Sequence, residues 1–270
     1  MPMLRKILDH LRWYEPRIAV LWALITLAGW LAFDWSLLWP GLVALILMAI
    51  AVDSVIRPSS NWFITTISHG LRGKRQVALS FDDGPDAIIT PLVLDELKRH
   101  SARASFFVIG QALTQHPELG RRIVAEGHVI ANHSWQHSYM QNFHLRRWQN
   151  EELKRCESSI EAITGRPSLR LYRPPVGMKT ADQARAARDL GLKVVAWSVH
   201  SRDTVAPDPT AIARRVLRKV RGGDIILLHD GDRVPGRRRT CPEALRLILI
   251  GLREKGLDCV TLTELLGPNP

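Results

Sequence analysis

Cysteine is scarce in this chain: Cys156, Cys241 and Cys259 stand far apart among 270 residues. They form no Cys-x-x-Cys pair and no disulfide framework, which favours a reducing compartment and makes them core fillers. Acidic residues are also short, 26 against 37 Lys and Arg, leaving a formal net charge of +11. That excess points to anionic surroundings such as lipid headgroups or phosphorylated substrates, though it also serves solubility. No aromatic-interleaved basic motif or zinc-finger spacing accompanies the charge, which argues against nucleic acid as a partner. Repeats and low-complexity segments are missing as well. A chain of this length with none of them reads as one domain with an appendage.

Long uncharged runs, by contrast, are present, and all of them fall near the N-terminus. Met3 to Arg17 mixes Arg5, Lys6, Arg12 and Arg17 with apolar positions and suits a helix on a membrane face. Residues 18–33 and 35–52 then carry no charge, and Asp34 separates them. At ~1.5 Å per residue these runs reach roughly 24 and 27 Å, nearly a ~30 Å hydrocarbon core. Trp13, Trp30, Trp35, Trp39 and Trp62 sit near the expected interfaces. Residues 1–56 are therefore predicted to be a hairpin anchor of two transmembrane helices. Ala49-Ile50-Ala51 resembles a signal cleavage site but follows too much apolar chain for one. Basic residues precede the first span and follow the second, as Arg57, Arg72, Lys74 and Arg75. The positive-inside rule then places the rest of the chain on the cytoplasmic side of a bacterial inner membrane. Residues 57–75, broken by Pro58-Ser-Ser-Asn61, read as a linker to a catalytic domain over 76–270.

From Gln76 onward strand-like and helix-like stretches alternate. Strands are expected at 77–81, 104–109, 129–132, 169–172, 193–199, 224–228 and 259–262. Helices are expected at 91–100, 117–126, 145–163, 180–190, 209–220 and 242–255. Such alternation implies a parallel sheet with crossovers, and six or seven units point to a (β/α) barrel. Chemistry in that architecture gathers at the C-terminal strand ends. There the first strand stops in Asp82-Asp83-Gly84-Pro85, where a turn lets both carboxylates face one cavity. His133 and His137 follow fifty residues later, spaced to share one face of a helical turn. Two imidazoles and a carboxylate leave open positions on a cation, the pattern of a catalytic metal site.

These residues resemble the NodB-type polysaccharide deacetylases, carbohydrate esterase family 4. The resemblance rests on Ser80-Phe-Asp-Asp-Gly-Pro85, His133-Ser-Trp-Gln-His137, Tyr172-Arg-Pro-Pro-Val-Gly177, Trp197-Ser-Val-His-Ser-Arg-Asp203 and Ile226-Leu-Leu-His-Asp230, in that order over about 190 residues. It implies a distorted barrel of about seven strands. It further implies that Asp83, His133 and His137 ligate a divalent metal, while Asp82 is the base. Zn²⁺ suits these ligands best, and Co²⁺, Ni²⁺ or Fe²⁺ also fit. By the same resemblance His229 is the general acid, Asp203 its partner, and Arg173 holds Asp82 oriented. Leu227 would line a pocket for the acetyl methyl. Pro175 and Val176 would border the substrate, with the Val176 N–H serving an oxyanion hole. The sequence departs from the family pattern at His200 and Thr204, where Asp and Trp are usual, and at Val176, where Tyr is usual.

The expected function is metal-dependent removal of N-acetyl groups from the N-acetylhexosamines of a glycan, one linked to a lipid if the anchor is real. Chito-oligosaccharide or peptidoglycan deacetylation, O-acetyl ester cleavage and glycan binding by a decayed site are the alternatives. Asn132-His133-Ser134 matches a glycosylation sequon but would enclose a metal ligand, so it is set aside. Arg214, Arg215, Arg218, Lys219 and Arg221, and then Arg237 to Arg239, read as a solvated helix face and loop, or as contacts to lipid headgroups or a polyprenyl phosphate.

Overall fold

Short apolar runs alternate with amphipathic stretches in this chain, so each strand can be covered on both faces by crossover helices. The computed structural model describes residues 24–25, 28–29, 38–62, 64–231 and 241–267. Its elements begin with α1 (Leu38–Ile56), β1 (Thr66–Ile67), β2 (Gln76–Asp82), α2 (Ile89–Arg99), β3 (Ser105–Val108), α3 (Gly110–Gln115), α4 (Pro117–Ala125) and β4 (Val129–Asn132). They continue with α5 (Arg146–Thr164), β5 (Leu171–Tyr172), α6 (Ala181–Asp189), β6 (Lys193–Val195), β7 (Val199–His200), α7 (Pro209–Lys219), β8 (Ile225–His229), α8 (Cys241–Glu254), β9 (Asp258–Val260) and α9 (Leu262–Leu266). Single 3₁₀ turns lie at Tyr139–Phe143 and Pro175–Gly177.

All strands pair in parallel, in the order β1-β6-β5-β4-β3-β2-β8-β7, with β9 added beside the start of β2. β6 stands near one end of this order and β7 at the other, yet only three residues join them. The sheet must therefore curl into an open barrel. Ala196 donates its N–H to Ile67 O and Ser198 to Ile225 O, so this short joint holds the two ends of the curl together.

Strand parity then sorts the side chains. Val77, Leu79 and Phe81 of β2 pack outward into the main core with α2 and α8, whereas Ala78, Ser80 and Asp82 face inward. In β8, Ile226 and Leu228 join that outer core, while Ile225, Leu227 and His229 face the interior. Below the site the interior is filled by Ala78, Phe107, Ala131, Leu171, Val195 and Ile225.

The barrel has nine strands rather than the expected seven or so. β1 arises from the stretch read as a linker and pairs with β6. The strand expected over 193–199 is cut in two because the Arg173 side chain takes the carbonyls of Val195 (3.3 Å) and Ala196 (3.0 Å). That contact is long-range and leaves no local signature. The predicted N-terminal hairpin has no support among the described residues. Its first span lies almost wholly outside the described residues, and its second falls on α1 from Leu38 onward. Among the described residues no helix is long and apolar enough to cross a membrane. The last turn of α1 instead carries an exposed ion pair, Arg57 to Asp53 at 2.7 Å.

Candidate active site

β2 delivers Asp82 to the top of the barrel facing inward, and register places it opposite His229 of β8. Asp83 would point to the other face if the strand continued, but its φ of 73° turns the chain and brings its carboxylate into the same cavity. Gly84 is required here because a Cβ would stand 2.3 Å from Asp230 Oδ2. β4 ends in Asn132, and the histidine pair follows in a loop, not on the helical turn expected from its spacing. Ser134 (φ 70°) and His137 (φ 52°) are left-handed. The loop is held by side chains instead: Asn132 Oδ1 accepts from Ser134 N–H, Ser134 Oγ from His137 N–H, and Glu152 Oε2 from Gln136 N–H. Asx-type bonding of this sort competes directly with helix formation. The two imidazoles converge all the same, with ring centroids 4.7 Å apart.

Asp83 Oδ1 lies 3.5 Å from His133 Nε2 and 3.2 Å from His137 Nε2. One ligand atom from each residue falls within 4.8 Å of the others, and all three residues are buried. His133 Nδ1 sits 2.7 Å from the Arg173 carbonyl. That bond assigns the ring proton to Nδ1 and leaves Nε2 as a lone pair aimed at the cluster. A hard carboxylate oxygen and neutral imidazole nitrogens fit Zn²⁺ or a neighbouring divalent transition metal.

Arg173, fully buried, donates through Nη1 to Asp82 Oδ1 at 2.6 Å and to Ser80 Oγ at 3.0 Å. Its guanidinium lies over the Phe107 ring, 3.9 Å from the centroid. Burial pulls its pKa below the ordinary value, and the Asp82 charge partly offsets that. All three nitrogens of the fork are engaged, Nε and Nη2 by the carbonyls of Val195 and Ala196, so Asp82 is held in one orientation. Across the cavity, His229 Nδ1 meets Asp203 Oδ1 at 2.8 Å, and Asp203 Oδ2 accepts the His229 N–H at 2.8 Å. Burial works against the imidazolium of His229, but Asp203, then Asp83 and Asp82, outweigh it and raise the His229 pKa. Burial likewise penalises the Asp203 carboxylate, and its bonds to His229 and Ser201 bring its pKa below the usual range.

The cavity between these groups has a volume of about 270 Å³ and is lined by Asp82, Asp83, His133, His137, Val176, Gly177, Trp197, His200, Thr204, Leu227 and His229. Of the predicted substrate residues, Val176 and Leu227 stand in its wall; Pro175 is buried and does not line it. Arg173 and Asp203 sit behind Asp82 and His229. Trp197 and Asp230 were given no role from sequence, although both fall in the quoted motifs. Asp230 is buried against Gly84 and accepts from Thr90 Oγ1 at 2.7 Å. Burial, with Asp83 and Asp82 nearby, pushes its carboxyl up to about 7. A carboxylate paired with the strand-end histidine in the Leu228-His229-Asp230 run was the available signal. Cys156 and Cys241 are buried and Cys259 is partly so, as filler residues should be.

A curled parallel (β/α) barrel with paired carboxylates, two converging imidazoles and a carboxylate-backed histidine at its C-terminal mouth has the groups of a hydrolase: a base, a candidate metal site and a general acid. Comparison with known proteins narrows this. Residues 69–195 match the polysaccharide deacetylase family. A chitooligosaccharide deacetylase of Bradyrhizobium sp. (strain ANU 289) is 37% identical over 202 residues, covering 72% of this chain and 91% of the relative. A peptidoglycan-N-acetylglucosamine deacetylase of Listeria monocytogenes is 34% identical over 193 residues, covering 72% of this chain but 39% of that larger protein. The crystal structure of the Bc1960 peptidoglycan N-acetylglucosamine deacetylase superposes with a TM-score of 0.70 at 31% identity, covering 74% of this chain and 92% of the other. The chain belongs to the polysaccharide deacetylase family, and with it to the de-N-acetylating hydrolases.

Proposed function

We propose that the chain is a divalent-metal-dependent deacetylase that hydrolyses the acetamide of N-acetylhexosamine residues in a glycan presented at a membrane. The observation that carries the catalytic part is the convergence of Asp83, His133 and His137 within 4.8 Å, with Asp82 alongside and fixed by Arg173. A divalent ion held by Asp83, His133 and His137 would polarise the acetamide carbonyl and lower the pKa of the attacking water. Asp82 takes the water's proton, and Arg173 keeps its carboxylate aimed. His229 gives a proton to the departing amine, which cannot leave as an anion. Asp203 holds the imidazole by Nδ1, so that Nε2 carries the transferable proton. The Val176 N–H steadies the developing oxyanion, and Leu227 packs against the acetyl methyl.

The membrane part is supported by the uncharged runs at 18–33 and 35–52 and by the apolar surface of α1. We assign the N-terminal residues to a bacterial inner membrane with the catalytic domain on its cytoplasmic side, which makes a lipid-linked sugar the substrate. Acetate release from N-acetylglucosamine oligomers and from lipid-linked N-acetylglucosamine, each with and without chelator, tests both parts. Release should stop with chelator, return with Zn²⁺ or Co²⁺, and be faster on the lipid-linked sugar. No release from any glycan by metal-loaded protein would refute the enzyme. A compartment-sensitive reporter fused after Pro270 reads the membrane side.

A further inference from the structure

We propose that an apolar rim seats the mouth of the active site on a lipid bilayer surface, so that the glycan enters from the membrane plane. This rests on the membrane reading above. The loops that leave the C-terminal strand ends carry the catalytic groups, and the same loops expose large apolar side chains. Ile88 after β2 is 58% exposed, Phe143 and Leu145 after β4 are 80% and 76% exposed, and Val205 after β7 is 76% exposed. Exposed apolar groups gathered around one opening mark an interaction surface. The opposite end, where α2, α4, α7 and α8 finish, is formed by residues such as Lys98, Glu126, Arg221 and Lys255, with Leu71 and Leu169 as the apolar exceptions.

The apolar helix α1 reaches the domain at this mouth and is fastened there. The Lys179 N–H bonds to Val55 O at 3.1 Å, and its buried ammonium donates to the carbonyls of Arg57, Pro58 and Ser60. A Cβ on Gly177 would lie 3.2 Å from Pro58 Cγ, so the chain leaving α1 touches the turn that carries Val176 into the cavity wall. Leu42, Leu45, Ile46, Met48, Val52 and Ile56 of α1 are exposed. A surface that takes up this helix therefore brings the mouth with it. The occupant is identified as lipid by the charge beside the rim. Val205 stands in the wall of a cavity of about 350 Å³ with Arg202 beside it and Arg214 and Arg215 further along α7. Apolar tips flanked by guanidinium groups match the boundary between acyl chains and anionic headgroups.

The full chain, reconstituted in vesicles of phosphatidylcholine and phosphatidylglycerol, tests the proposal with environment-sensitive labels at Phe143→Cys, Val205→Cys and Lys255→Cys. Labels at 143 and 205 should shift to the blue and be quenched by lipids bearing a spin label on the acyl chain, with no change at 255. Water-like emission at 143 and 205 would overturn the proposal. So would a shift that follows protein concentration without lipid, since the face would then join two copies of the chain. The Met140→Ser/Phe143→Ser double variant should turn over vesicle-borne N-acetylglucosamine about tenfold more slowly. Its rate on free chito-oligosaccharide should stay within about twofold of the parent. Quenched labels without any deacetylation would keep the docking surface and refute the assigned substrate instead.

Discussion

The two walls of the cavity are built differently. The β2–β4–β5 wall carries Asp82, Asp83, His133, His137 and Arg173, all of them buried, with Asp82 and Arg173 facing inward from their strands by strict parity. The β7–β8 wall pairs His229 at the end of β8 with Asp203 in the loop after β7, and its outer part comes from His200, the last residue of β7, and Thr204, two positions that depart from the family pattern. The comparison teaches that the buried groups are fixed by partners from several elements, Asp82 by Arg173 and the histidine loop by Asn132, Ser134 and Glu152, so that a change of residue there disturbs folding as well.

The sharpest way to break this contrast is Arg173→Met. It removes the partner of a buried carboxylate and four donated bonds, and should cost about 3–5 kcal/mol, seen as a lower midpoint in denaturant titration. Acetate release should fall about a hundredfold or more, because the base loses its orientation. Arg173→Lys should not restore either property, since an ammonium cannot reach Asp82, Ser80, Val195 O and Ala196 O together.

Asp203→Asn is expected to act on the other wall with a smaller effect. His229 has a raised pKa, so it keeps its proton to higher pH than a free imidazole and loses it as pH rises through that raised value. Its contribution to stability is accordingly complete below the unfolded His pKa and fades above it. Without the Asp203 charge the alkaline limb of kcat against pH should move to lower pH, while kcat at the optimum falls about ten- to hundredfold. An unmoved limb would show that His229 is not the group titrating there.

His200→Asp is the gentlest of the three. Burial, and then the neighbouring His229, lowers the His200 pKa, so this side chain adds little positive charge at neutral pH. The His200 and His229 ring centroids lie 6.3 Å apart, so a carboxylate at position 200 should instead move the alkaline limb to higher pH. The kcat/KM on short oligomers should change by no more than about threefold, roughly 0.7 kcal/mol. A large loss would move His200 from the outer wall of the cavity to the machinery.

Much of this was readable from residue order. The abrupt end of an apolar strand in Asp82-Asp83-Gly84, and of another in His229, already placed both at one end of a parallel sheet, and register then faces them. What could not be read depends on contacts between distant segments. The spacing of His133 and His137 satisfies a helix and an Asx-held loop equally well, and only Asn132, Ser134 and Glu152 decide for the loop. The division of β6 from β7 is caused by a guanidinium twenty residues upstream. β1 lay hidden because two residues of strand give no periodicity at all. Trp197 and Asp230 were visible as letters of motifs but not as a wall and a filler, which are properties of the folded surface.

The ammonium of Lys179 also bears on where this protein can be cut. Burial lowers its pKa to about 8, and its three carbonyl acceptors all lie upstream of residue 61. A fragment beginning at the family match near residue 69 would lack all three acceptors and open that amine to solvent beside the turn that carries Val176. A unit that keeps these bonds therefore starts before Arg57, and a cut at the seam between helix and enzyme uncovers an amine that the longer chain shelters.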